Sequence, residues 1–228
     1  MKHTYVKNWV LGFAVLALVG CGSSSSSSNT GNTTPPTNTE LSQDLKDLIT
    51  YMYSEESLAH DVYLNIYQLQ GVNTLYNIAT NAEVQHIQAV NDLAVAYDLN
   101  MTQYPDTDVP YSINGITPGV YPVERIQELY NMLYDKGIQS SKDALEVGCI
   151  VEVVDITDLD HAIDLAERDN AADVLDVFNF LRDGSYNHYW AFNSALEQMG
   201  IETGCCSLGD EYCHPEYPQN QGNNGKKR

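Results

Sequence analysis

"NIATNAEVQHIQAVNDLAVAYDL", Asn77 to Leu99, is the stretch on which the fold turns. Ile78, Ala79, Ala82, Ile87, Val90, Leu93 and Ala94 recur at the three- and four-residue spacing of an amphipathic helix. Glu83 and His86 interrupt that apolar stripe, and at three residues apart they point the same way. An ionised carboxylate buried without a partner is strongly unfavourable and would sooner take up a proton. A carboxylate and an imidazole on an inward face therefore call for a cation.

The same period extends outward from this segment. Leu45, Leu48, Ile49, Met52, Glu56, Ala59, Tyr63 and Ile66 share one broad face of a preceding helix, which Gly71 closes. The second helix is expected from Asn73 or Thr74 to about Asn100. A third starts at Ser140 or Ser141, where serine caps "SSKDALE", and runs through Leu145, Gly148, Cys149, Glu152, Ile156, Leu159 and Ile163 until "ERDN" breaks it. The fourth carries Val174, Leu175, Phe178, Leu181, His188, Phe192, Ala195 and Leu196 and stops at Gly200. Between the second and third, "MTQYPDTDVPYSINGITPGVYP" reads as a connection, extended by a short helix from about Val123 to Lys136. A long crossover of this kind is what a bundle needs when its second and third long helices run parallel. No strand-like alternation of useful length occurs. The expectation is an all-α four-helix bundle over residues 41–203.

Each of the four helices sets acidic or imidazole groups on its apolar face. They are Glu56 on the first, Glu83 and His86 on the second, Glu152 and Asp155 on the third, with Glu146 a turn and a half earlier, and His188 on the fourth. The ordinary explanation of a buried Glu is an Arg or Lys beside it, but none stands at helical spacing next to Glu56 or Glu83. More carboxylates than imidazoles, and almost no thiolate, suit iron or manganese. Two metals fit this set better than one. Glu55 reads as a surface neighbour of Glu56, and His60 and His161 as surface residues. Tyr63 is either a redox or hydrogen-bonding neighbour of the ligands or one more core residue among 16 tyrosines. Gly184 leaves space at the metal or permits close helix packing.

These motifs carry a resemblance. "ESLAHDVY" (Glu56 to Tyr63) and "EVQH" (Glu83 to His86) resemble the first two metal-bearing helices of rubrerythrins, and "EVVD" (Glu152 to Asp155) is similar to that family's Glu-x-x-Glu. "SYNH" (Ser185 to His188) occupies the place of the last Glu-x-x-His. Together with "AEVQHIQAV", "VEVVDITDL" and "GSYNH", they look most like the ferritin-like bacterial domain of unknown function 2202, over about Leu41 to Ile201. The resemblance implies a ferritin-like fold and a di-iron carboxylate site held by Glu56, Glu83, His86, Glu152, Asp155 and His188, with manganese or a mixed pair as the alternative filling. Oxygen, peroxide or Fe(II) is the implied substrate, and the electron donor would be external, since no rubredoxin-like cysteine module is present. Ser185 departs from the pattern, standing where the superfamily has a ligand Glu. That departure supports a rival reading, a non-catalytic cell-surface binding or scaffold module with one metal or none. A zinc or manganese hydrolase is a third.

The chain's first twenty residues read as a secretory signal, a short basic start followed by "WVLGFAVLALVG". "LVGC" resembles a bacterial lipobox, which would make Cys21 the lipidated first residue of the mature protein; Gly22 after it favours the outer membrane. Residues 22–40 hold no aliphatic or aromatic side chain and form a tether reaching roughly 25 Å. With 31 acidic against 11 basic residues and no basic cluster, nucleic acid is excluded as a partner, and a membrane is contacted through the anchor only. A homodimer is compatible with this plan, whereas a tethered chain fits poorly into a closed storage shell. Residues 204–228 form a polar tail in which Cys206 and Cys213 are the candidate disulfide, as expected in an oxidising compartment. A second metal site at Cys205, Cys206, Cys213 and His214 is the alternative. Cys149 reads as a small buried hydrophobe.

Overall fold

The computed structural model of the chain describes residues 40–99, 119–121 and 124–219. The expected signal, the expected lipidation at Cys21, the expected tether and most of the expected crossover lie outside these residues. Among the described residues the structure is all-helical and contains no strand.

Helix α1 spans Gln43–Gln70. Ser42 caps it by accepting a hydrogen bond from the Leu45 amide, and Gly71, at φ 66°, closes it in the left-handed region that glycine enters freely. Helix α5, Ser141–Asp169, has the same logic: the Ser140 hydroxyl accepts from the Asp143 amide, and Asn170 ends it at φ 54°. Helix α6 spans Ala172–Gln198. Helix α4 spans Glu124–Gly137, close to its expected place.

The second long helix differs from expectation. It consists of α2 (Asn73–Ile78), a π-helical turn (Ala79–Glu83) and α3 (Val84–Ala96). It stops at Ala96 rather than near Asn100, and Asp98 follows at φ 52°. In the wide π turn carbonyls lose their usual i→i+4 partners. The side chains of Thr80 and Asn81 donate to the carbonyls of Tyr76 and Asn77, so the bulge is partly self-satisfied. Glu83 is its last residue.

Helices α5 and α6 pack along each other, α1 lies against α3, α4 and α5, and α3 also meets α6. The core between them includes Ile49, Met52, Tyr63, Leu159, Phe178 and Phe192, all essentially solvent-free. Gly148 lets the Phe192 ring lie directly on α5, because a methyl group there would overlap it. Among the described residues no helix is long and apolar enough to cross a membrane.

The segment after α6, read from sequence as an appendage, is docked at least as far as Tyr217. Cys205 is fully buried and forms a disulfide with Cys149 of α5, while Cys206 pairs with Cys213. Cys149 is buried, as its reading as a small buried hydrophobe requires, but it is a disulfide partner rather than a free side chain. Its inward position serves to bring α5 to a tail that turns back over α6, where Asn193 Oδ1 accepts from the Cys205 amide. The Tyr189 hydroxyl donates to the Tyr212 carbonyl and accepts from the His214 amide, and the Trp190 indole donates to the Tyr217 carbonyl. With Cys205, Cys206 and Cys213 all in disulfides, the alternative of a thiolate metal site in the tail does not hold.

Candidate metal centre

Four helical segments bring the predicted residues to one interior place. Glu56 of α1, Glu83 at the end of the π turn, His86 of α3, Glu152 and Asp155 of α5 and His188 of α6 are all buried, with exposures of 2 to 7%. His86 Nδ1 lies 3.1 Å from Glu56 Oε2 and 3.2 Å from Glu83 Oε2. His188 Nδ1 lies 3.2 Å from the other oxygen of Glu83, Oε1, and 3.4 Å from Glu152 Oε2. The two rings sit with centroids 5.4 Å apart. Two groups of potential ligands result, Glu56–Glu83–His86 and Glu83–Glu152–His188, each with its atoms within 4.8 Å of one another. Glu83 belongs to both and offers one oxygen to each.

Neighbouring groups fix these side chains. The Tyr63 hydroxyl, fully buried, donates to Glu152 Oε1 at 2.6 Å, which answers the open reading of that tyrosine in favour of a hydrogen bond to a carboxylate. Gly184 faces the His86 ring so closely that any Cβ would overlap Nε2 and Cε1, so its role is to make room for the imidazole. The Phe180 ring meets the same imidazole edge-on at 5.4 Å.

Asp155 is buried beside the cluster but belongs to neither group. Its Oδ2 accepts from the Ser185 hydroxyl at 2.5 Å, and Ser185 also donates toward the Leu181 carbonyl, 3.1 Å away. Glu146 lies elsewhere, held by Lys136 and Lys142. Glu55 corrects the sequence reading: it is 2% exposed, not a surface residue. The signal lay in its surroundings, since Ile49 to Leu58 contains no Lys, Arg or Gln and every residue of that run is buried.

The electrostatics follow from crowding acids in a dry interior. Burial raises Glu56, the His86 charge opposes that, and its carboxyl settles at about 7. Burial also raises Glu152, and raises Asp155 well above its usual range, with Glu56 and Glu152 adding to the latter. Glu83 is the exception. Burial pushes it up, but two imidazoles outweigh that and hold it well below the usual carboxylate range. Burial lowers His188, yet Glu152 and Glu83 carry it to about 10; Glu56 and Glu83 likewise hold His86 well above its usual value.

Among the described residues no Lys or Arg forms an ion pair with this cluster. Glu56 Oε1 and Asp155 Oδ1 are buried without a hydrogen-bond partner. Even with both imidazoles protonated, four carboxyls exceed the positive charge available. Oxygen and imidazole donors, acid excess and orphaned buried atoms fit a hard or borderline divalent cation. These residues could hold a metal ion.

Fold and site together define an all-helical protein whose interior gathers carboxylates and imidazoles from every long helix. The chain belongs to the family described as an uncharacterized protein domain, DUF2202, which residues 45–212 match. It is similar to the uncharacterized protein MJ0754 of Methanocaldococcus jannaschii, with 33% identity over 160 residues, 70% of this chain and 79% of that one. The crystal structure of hypothetical protein MJ0754 from the same source superposes with a TM-score of 0.62 at 32% identity, covering 73% of this chain and 87% of that one.

Proposed function

We propose that this is a ferritin-like four-helix-bundle protein with a di-iron carboxylate site that reacts with oxygen or peroxide, held at the bacterial outer membrane by a lipid on Cys21. The observation that carries the reading is the division of Glu83, whose two oxygens face two different imidazoles. In this bundle α1, the α2–α3 segment, α5 and α6 are the four members, with α4 in the crossover. Glu56 and His86 would hold one ion, Glu152 and His188 the other, and Glu83 both. Iron bound there would supply the electrons for reduction of oxygen or a peroxide. Tyr63 holds Glu152 in orientation and Gly184 admits the His86 ring. Manganese or a mixed pair is the alternative filling, Fe(II) itself an alternative substrate, and the reductant an external partner.

One observation favours the rival, a scaffold or binding module with one metal or none: α6 contributes Ser185 to the cluster, and that hydroxyl occupies Asp155 rather than adding a carboxylate. The two readings separate when the purified, metal-stripped protein is given Fe(II) without oxygen, bound iron is counted, and oxygen or peroxide is then added while near-ultraviolet absorption is followed. Two irons per chain that oxidise on addition are expected. No bound iron with an intact helical spectrum would leave the scaffold.

A further inference from the structure

Beside the two ligand groups lies a row of acids that the proposed site does not use. Glu55 is 2% exposed, and neither of its carboxylate oxygens has a hydrogen-bond donor. Its electrostatic neighbours are Asp158, Asp155 and Glu56, with the charge of Arg125 opposing them. Asp155 and Asp158 are three residues apart on α5 and so share a face. Asp155 is 5% exposed with Oδ1 unpartnered. Asp158 is half-buried, contacts the Tyr51 hydroxyl and the Glu55 carboxyl, and feels the charge of Arg125 and His161. Arg125 is exposed, its guanidinium 5.3 Å above the Tyr51 ring. Carboxyl groups thus run in sequence from the half-exposed Asp158 through Glu55 and Asp155 to Glu56 and Glu152.

Among the described residues no Lys, Arg or His forms an ion pair with Glu55, and the partner its carboxyl does have, Asp158, is another acid. We propose that Asp158, Glu55 and Asp155 form the inlet by which divalent cations pass from solvent to the ligand groups, with Arg125 as the counter-charge that an entering ion displaces. The inference rests on the reading that those groups hold metal. Glu55 is a transit position: it presents oxygens to a passing ion and, unlike the ligand groups, has no imidazole beside it to complete a resting site.

The test is the rate of cobalt(II) uptake by the metal-stripped protein, followed by its visible absorption, alongside the final metal count. Glu55→Gln and Asp158→Asn should each slow uptake about tenfold, as loss of a focusing charge does, and Arg125→Ala should speed it. All three should reach the wild-type count. Unchanged rates at full count would overturn the inlet while leaving the metal site intact. A reduced count in Glu55→Gln would also overturn it, by making Glu55 a ligand. Because Arg125 is exposed and its change has the opposite sign, a folding defect in Glu55→Gln would not decide the matter: an Arg125→Ala rate at or below wild type counts against the inlet. No cobalt uptake by the wild type would remove the metal site and the inlet with it.

Discussion

Two regions along α5 are built on opposite terms. Around Gly148 and Cys149 the interior is self-sufficient: Phe192 lies on the glycine, Cys149 is bonded to Cys205, and the Cys205 amide donates to Asn193 Oδ1. One turn on, from Glu152 to Asp158, the same helix presents acids to other acids and leaves buried oxygens without donors. The first region is complete as a polypeptide. The second gathers carboxylates and imidazoles that could hold a metal ion, and that contrast is the physical basis for the proposed function.

The largest effect that would sharpen the contrast is on stability, in the first region. Cys149 and Cys205 close a loop of sequence separation 56, so replacing both with alanine should destabilise the chain by about 4 kcal/mol, against about 2 kcal/mol for Cys206 and Cys213 at separation 7. Thermal melts of the two double variants, without added metal, test the order. A larger loss for the short loop would break it.

In the acidic region the next effect is of pH. Glu56, at about 7 when folded against 4.5 unfolded, contributes stability that is full below pH 4.5 and lost as pH rises through 7. His188, at about 10 against 6.5, contributes stability that is full below pH 6.5 and lost through pH 10. Glu83 acts in reverse, losing its contribution as pH falls below the usual carboxylate range. The metal-free protein should therefore melt at a lower temperature at pH 8.5 than at pH 6. Metal affinity should move the other way, rising with pH as His188 and His86 release their protons, and more steeply below 7, where Glu56 must release one as well. Calorimetric titration with manganese(II) at several pH values checks the slope.

Smaller effects come from the residues that position ligands. Gly184→Ala would overlap the His86 ring, and metal affinity should fall ten- to a hundredfold at one of the two ions. Helix propensity alone would favour alanine by about 1 kcal/mol, so a fall in affinity reports the overlap and nothing else. Tyr63→Phe removes only the hydroxyl that orients Glu152, and about a tenfold loss at the other ion is expected from the same titration.

Much of this was legible in the chain because helical phase is a strong signal. Ser42, Gly71 and Ser140 announce helix ends through capping chemistry, and Glu83 and His86 announce an inward polar pair by sitting in an apolar stripe. What was not legible depended on more than one face at a time. Glu55 is buried because α1 is covered by three other helices, whereas a single-stripe reading expects one covered side. The π turn at Ala79–Glu83 has no unusual period in its residues, and the side-chain bonds of Thr80 and Asn81 to carbonyls four residues back recur in regular α-helix at Ser57 and Thr157. The pairing of Cys149 with Cys205 needs the tail to fold back over α6, which no spacing encodes.

The central claim is that Glu83 stands between two metal ions. Anomalous diffraction at the iron edge, from crystals of the Fe(II)-loaded protein grown without oxygen, tests it directly. The account predicts two peaks, one beside Glu56 and His86 and one beside Glu152 and His188, with Glu83 touching both. A single peak, or none, would contradict it.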